Sequence, residues 1–166
     1  MREMNLKKCV CNNVKKAMSI VSKENLVTLK ITSDYSLPSY CFLSETMAVL
    51  SHYRIKIEFV EVSAFSVLIL IEKKDCIEQM IIELSRFSTA EFSTGWVSFR
   101  FTDYLCYKEG KTVSPVALAL GEKIPLRVIS FTENNQVLIV VRKEDKFMAR
   151  NVIEENLLMP ESSCIN

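Results

Sequence analysis

Glycine is scarce in this chain: three in 166 residues, at Gly95, Gly110 and Gly121. Loops that cradle phosphate need glycines where the backbone closes around oxygen atoms, so nucleotide chemistry has little place to reside. Gly110-Lys-Thr112 imitates the end of a P-loop, but the position five residues earlier is Leu105 rather than glycine. A solvated turn before a helix is the better reading. Histidine is scarcer still. His52, the sole imidazole, closes a helical pattern between Ser51 and Tyr53, where it suits a surface residue complementing the helix dipole rather than a Cys-His catalytic pair. The six cysteines are scattered, with only Cys9 and Cys11 close together and far from His52. That spacing excludes the usual zinc ligand sets and fits free thiols in a reducing compartment. No metal and no cofactor is expected. Charge of one sign is also missing: 21 Lys and Arg against 20 Asp and Glu leave a formal +1 without like-charge blocks. An electrostatic surface for nucleic acid or membrane is thereby disfavoured. No apolar run approaches the ~20 residues of a membrane span, and the N-terminus lacks a signal-like apolar stretch. The expected location is the cytoplasm. Half of the residues are hydrophobic, enough to exclude disorder.

What the chain has is a repeat. Leu26-Val-Thr-Leu-Lys-Ile-Thr32 is answered by Trp96-Val-Ser-Phe-Arg-Phe-Thr102, and Val67-Leu-Ile-Leu-Ile-Glu-Lys-Lys-Asp75 by Val137-Leu-Ile-Val-Val-Arg-Lys-Glu-Asp145. Both pairs are displaced by 70 positions. One shared offset points to a duplicated small domain rather than a solenoid, whose units are shorter and more numerous.

The first repeat reads strand, helix, strand, strand, helix, strand. A β-rich run over 26–31 leads through a loop to a helix start near Pro38. Leu43, Met47 and Leu50 mark a buried helical face. Ile55, Ile57 and Phe59 alternate with charge as a strand, and Ser66 to Ile71 is nearly continuously apolar, as a central strand should be. Ile77, Met80, Ile81 and Leu84 form a second helical stripe, and Thr89 to Phe92 closes the unit. The second repeat runs through strand 96–101, helix 113–120, strands 126–130 and 136–141, and helix 146–157, but has no room for a closing strand. Ala17 to Val21, unassigned before the first repeat, is expected to supply it. The fold class is therefore α+β: two ferredoxin-like βαββαβ domains in tandem, the first inserted into the second. The expected bounds are 23–93 for the first, 14–22 plus 94–158 for the second, with tails at 1–13 and 159–166. RNA-recognition modules share this order, and Tyr104, Tyr107, Lys108 and Lys111 invite the comparison. The central strands, however, carry aliphatic residues where stacking aromatics belong.

The stretch Phe42-Leu-Ser-Glu-Thr-Met-Ala-Val-Leu-Ser-His-Tyr-Arg-Ile-Lys-Ile-Glu58 resembles the Gly-Phe-Leu-x-x-(Val/Ile)-Phe-x-x-Leu-x-x-x-x-Ile-x-Val-Asp segment of the first ACT domain of aspartate kinases. Val62-Ser63 and Ser66-Val67 fall where that family has Thr-Ser and Ser-Val, and Ile129-Ser130 where its second ACT domain has Ile-Ser. Met18 to Thr28 is similar to its short strand before the first ACT domain. The resemblance covers about 18–158 and implies a tandem-ACT, non-catalytic regulatory region with the same inserted topology. The kinase domain's Lys-Phe-Gly-Gly motif is missing from this sequence. The departures are Cys41 for the usual glycine, Glu58 for aspartate, Val62 for threonine, and Thr132-Glu-Asn-Asn-Gln136 in place of Gly-x-Ser-Glu-x-Asn.

The resemblance further implies an effector of the lysine or threonine type at an interface between ACT domains. Ser39, Cys41, Phe42, Leu43, Ile57, Glu58 and Ser63 are the candidate effector-binding residues. Backbone N–H groups at the helix start can hold a carboxylate, Glu58 can face an ammonium, and Ile57 and Ser63 can line the wall. Each sheet carries helices on one face and leaves edges and apolar surface to be covered, so a homodimer through ACT domains is expected. A kinase catalytic chain is a further possible partner; nucleic acid and membrane are not. The alternative is an interaction module that has lost its ligand and only dimerises. Met1 and the polar tail favour a complete chain over a piece excised from a longer enzyme.

Overall fold

A computed structural model describes residues 20–102, 114–131 and 136–157. Its elements are β1 (Val21–Ser33), α1 (Ser39–His52), β2 (Ile57–Val62), β3 (Ser66–Glu72), α2 (Ile77–Leu84), β4 (Ser88–Thr102), α3 (Pro115–Gly121), β5 (Val128–Phe131), β6 (Gln136–Arg142), a 3-10 turn (Lys143–Asp145) and α4 (Lys146–Leu157). Each start has a local cause. Pro38, at φ −57°, presets the entry to α1, which suits a residue whose missing N–H costs a helix nothing at this position. Ser114 caps α3, its hydroxyl accepting from the Ala117 amide at 3.3 Å, and Pro115 follows as the first helical residue. His52 lies exposed in the last turn of α1, as expected. No described helix is long and apolar enough to cross a membrane.

The strands form one antiparallel sheet in the order β2-β3-β1-β4-β6-β5. Two of them serve both repeats. β4 joins the two runs read from the sequence as separate strands, 89–92 and 96–101, and continues between them through Gly95 at φ +80°. β1 pairs its second half with Ser88–Ser93 and its first residues, Val21 to Lys23, with Ser98–Arg100. Irregularities between Lys23 and Leu26 and between Leu26 and Thr28 separate the two registers, with Asn25 at φ +56° between them. The second half thus gains a fourth strand from 21–23. Of the expected strand 17–21, residues 17–19 lie outside the described residues, as do the P-loop-like Gly110-Lys-Thr112 and Tyr104, Tyr107 and Lys108.

Three buried clusters hold this together. Val27, Leu29, Ile31, Val67, Ile69 and Ile71 pack beneath α1 and α2. Val97, Phe99, Phe101, Val137, Ile139 and Val141 pack beneath α3 and α4. The alternate residues of the same strands point the other way. Leu26, Leu70, Trp96, Val128, Leu138 and Val140, with Phe59 and Leu68, form a seam between the repeats. The sheet folds back on itself, so each half covers the inner face of the other. Central strands buried on both faces read as unbroken apolar runs, which accounts for 66–71 and 136–141. The apolar face expected to need another copy is covered within the chain. A smaller difference concerns α1: its fully buried face is Phe42, Thr46, Val49 and Leu50, with Leu43 and Met47 at the margin. Phe42, the largest of these, takes the centre.

Candidate functional site

The expected site divides between two ends of the first repeat. α1 begins where β1 and β2 end, beside the β2–β3 turn. Phe65 accepts a backbone bond from Ser33 at 2.8 Å, and its ring lies 5.2 Å from that of Tyr35 in the loop leading to α1. Ser39, Cys41, Phe42 and Leu43 occupy the first turn, and Ser63 sits in the nearby hairpin, its hydroxyl 2.8 Å from that of Ser66. The amides of Ser39, Tyr40 and Cys41 precede the first intrahelical bond, which Phe42 donates to Pro38 at 2.9 Å. Among the described residues no side chain caps this helix, and its first turn holds no acidic residue. An N-terminus in that state favours an anion. The donors are Ser39 to Cys41; the Phe42 amide is committed to the helix. Cys41 is a free, half-buried thiol, as is Cys76, while the other four cysteines lie outside the described residues.

Ile57 and Glu58 begin β2, at the end of the sheet where α1 terminates. Ile57 shares the helix-bearing face with its ladder partner Ile71. Glu58, at the irregularity that follows, turns to the seam, where its side chain is only 5% exposed. It accepts from Lys23 Nζ at 2.5 Å and lies 3.4 Å from Arg100 Nη2, with Lys56 Nζ at 3.8 Å. Arg100 also donates to the Glu58 carbonyl at 3.0 Å. Glu58 therefore does not face the α1 start within this chain; it ties β2 of the first repeat to β4 of the second. Alternation along β2 showed that one face was solvent or site, but the bulge that redirects Glu58 leaves no sequence mark. Lys23 and Arg100, absent from the sequence reading, are the partners that matter.

Lys23 also reaches Glu72 at 3.1 Å. These carboxylates hold the Lys23 ammonium above its ordinary value, and Lys23 holds Glu72 below its own. Glu24 is lowered likewise by Lys146 of α4. A raised lysine contributes stability below its unfolded pKa and loses it as pH climbs through the folded value. A lowered glutamate contributes above its unfolded pKa and loses it as pH falls through the folded value. The melting temperature should thus be flat near neutrality and decline on both sides, below the ordinary glutamate range and above the ordinary lysine value of 10.5. In a calorimetric pH series, Lys23→Gln should shallow the alkaline decline. The effect should be modest and weaken with salt, because the lysine is exposed to solvent.

No family model and no curated protein matches the chain, so likeness rests on solved structures. The architecture defines a class: it is the fold of the tandem ACT-domain regulatory region of aspartate kinases, and not of a kinase catalytic domain. A structure described as the C-terminal regulatory domain of an aspartate kinase from Porphyromonas gingivalis superposes with a TM-score of 0.75 at 20% identity, over 86% of this chain and 98% of that one. Aspartokinase III of E. coli, in complex with lysine and aspartate in its T-state, gives 0.68 at 19% identity, over 89% of this chain but 35% of the enzyme. The ligand-free regulatory subunit of aspartate kinase from Thermus thermophilus gives 0.65 at 10%, over 82% and 94%. The chain therefore matches nearly the whole length of that regulatory domain and subunit and about a third of the full-length kinase.

Proposed function

We propose that this chain is a non-catalytic regulatory module that binds a free amino acid of the lysine or threonine type and passes its presence to an aspartate kinase catalytic unit. The observation that carries the proposal is the start of α1, three amides in a first turn that holds no acidic residue, beside an open strand edge. On β2, Val60 and Val62 are 40% and 49% exposed, and among the described residues only β3 pairs with it. An isologous partner meeting this edge would run its β2 antiparallel. That geometry brings the helix start of one chain, with Ser39, Cys41 and Ser63, toward the Ile57 end of the other. The two halves of the expected site would then meet across a homodimer. On the same reading, 23–93 is a unit inserted into the second, which 94–158 and the N-terminal strand complete.

The occupied state of Glu58 favours a second reading. A carboxylate already held by Lys23 and Arg100 has no need of a ligand ammonium, as a ligand-free dimerisation module would require. Calorimetric titration with lysine, threonine and small amino acids separates the two. A sensor should bind one of them, and Ser39→Pro, which removes a first-turn donor at a position tolerant of proline, should weaken that affinity about ten- to a hundredfold. Absence of binding by every amino acid tried would leave the scaffold reading.

A further inference from the structure

Among the described residues two clefts along the seam are copies of one another. One, of about 220 Å³, is lined by Lys30, Glu61, Ser63, Ser66, Leu68 and Arg127. The other, of about 250 Å³, is lined by Glu58, Phe59, Arg100, Ser130, Gln136, Val137 and Leu138. Moving Lys30, Ser66 and Leu68 by the repeat offset gives Arg100, Gln136 and Leu138. Moving Arg127 back by the same offset gives Ile57, the neighbour of Glu58. In each cleft a cation from a central strand, Lys30 of β1 or Arg100 of β4, shares the lining with a residue supplied by the other repeat.

Their electrostatics differ. Across the second cleft Arg100 meets Glu58, and the charges close on each other. Across the first, Lys30 meets Arg127, cation facing cation. Among the described residues neither forms an ion pair, and neither does Glu61. Glu91, opposite Lys30 in the β1–β4 ladder, also makes none. Arg127 is nonetheless held in place: its amide donates to Val140 at 2.9 Å and its guanidinium stands 5.9 Å over the Trp96 ring. A duplicated cleft that is neutralised in one copy and left with two cations, one carboxylate and two hydroxyls in the other has the makings of a ligand site. Its size is below the about 300–1,000 Å³ of drug-sized pockets, which suits a metabolite.

We propose that the Lys30–Arg127 cleft is a second effector site and that it takes a small acidic amino acid. Such a ligand matches the lining group for group: one carboxylate for Lys30, one for Arg127, and an ammonium for Glu61, with the Ser63 and Ser66 hydroxyls within the same cleft. Because Lys30 belongs to the first repeat and Arg127 to the second, a bound ligand closes the seam as Glu58 and Arg100 close its counterpart. The site shares Ser63 with the candidate site at the start of α1 but uses none of that turn's amides.

The test is titration of the full chain with aspartate, glutamate, succinate, lysine and inorganic phosphate, alongside melting temperatures. Aspartate or glutamate should bind and raise the melting temperature. Lys30→Gln and Arg127→Gln should each weaken binding about ten- to a hundredfold. Glu61→Gln should weaken the acidic amino acids but not succinate, which lacks the ammonium, and Ser39→Pro should change nothing. Lack of binding by both acidic amino acids would overturn the proposal, as would unchanged affinity in the Lys30→Gln/Arg127→Gln double variant. Equal binding of phosphate and aspartate, insensitive to Glu61→Gln, would reduce the cleft to an unspecific anion site and overturn it too.

Discussion

Trp96→Ala is expected to lower the unfolding free energy by about 3–5 kcal/mol and to resolve one unfolding transition into two. Trp96 is 7% exposed at the centre of the seam, with Leu26 and Leu70 of the first repeat and Val128, Leu138 and Val140 of the second around it. Arg142 covers the ring at 3.9 Å and donates to the Thr94 carbonyl at 3.1 Å. Truncation removes the largest side chain of the layer both repeats share, while the outer cores keep every member. Cooperativity should suffer more than either repeat alone. Trp96→Phe is the informative control. The indole N–H is buried without a partner among the described residues, so phenylalanine loses volume but also sheds an unsatisfied donor, and should cost well under half as much. Differential scanning calorimetry reads both effects; a single transition at an unchanged midpoint in Trp96→Ala would contradict the role given to this residue.

Phe42→Ala should be comparably damaging, by about 3–5 kcal/mol, through a different route. Phe42 has no exposed surface and meets the Phe87 ring edge-on at 6.4 Å, so it fixes the first turn of α1 against the sheet. Its loss frees the turn whose amides form the candidate anion site. Hydrogen exchange should show protection lost over 39–52 before 146–157, and any amino-acid response of that site should vanish with it. Phe42→Leu, closer in volume, should retain most of both. Chemical denaturation gives the energies; exchange gives the location.

These two residues also show what the sequence could and could not convey. Amphipathic spacing is local, so α2 was legible as Ile77, Met80, Ile81 and Leu84, and two strands stood out by their apolar runs at 67–71 and 137–141. Their order sufficed for the ferredoxin-like arrangement. The repeat offset, a long-range signal, divided the chain. Fusion of two strands through Gly95 was not legible, because a glycine among strand residues reads equally as a turn. Nor was the seam. Alternation says that Leu138 and Val140 oppose Val137 and Ile139, but not that Leu70 waits on the far side. The surroundings of Glu58 were hidden for the same reason: its type and position suggested a ligand contact, while its partners within the chain, Lys23 and Arg100, lie 35 and 42 positions away. The start of α1 was legible as a helix start because Pro38 announces itself.

β1 and β4 leave the molecule without a joint between its repeats. They lie side by side through both halves, fastened to each other at either end, with the irregular pairing between Lys23 and Thr28 absorbing the change of register in the middle. Such a pair behaves as a torsion bar. A one-residue slip would turn every side chain to the wrong face, so neither half can creep along the other, and what remains is rotation about the strand axis. A twist imposed at the β2 edge then passes toward the β5 edge through hydrogen-bonded ladders and two strands that run through both halves, rather than by the docking and undocking of separate bodies.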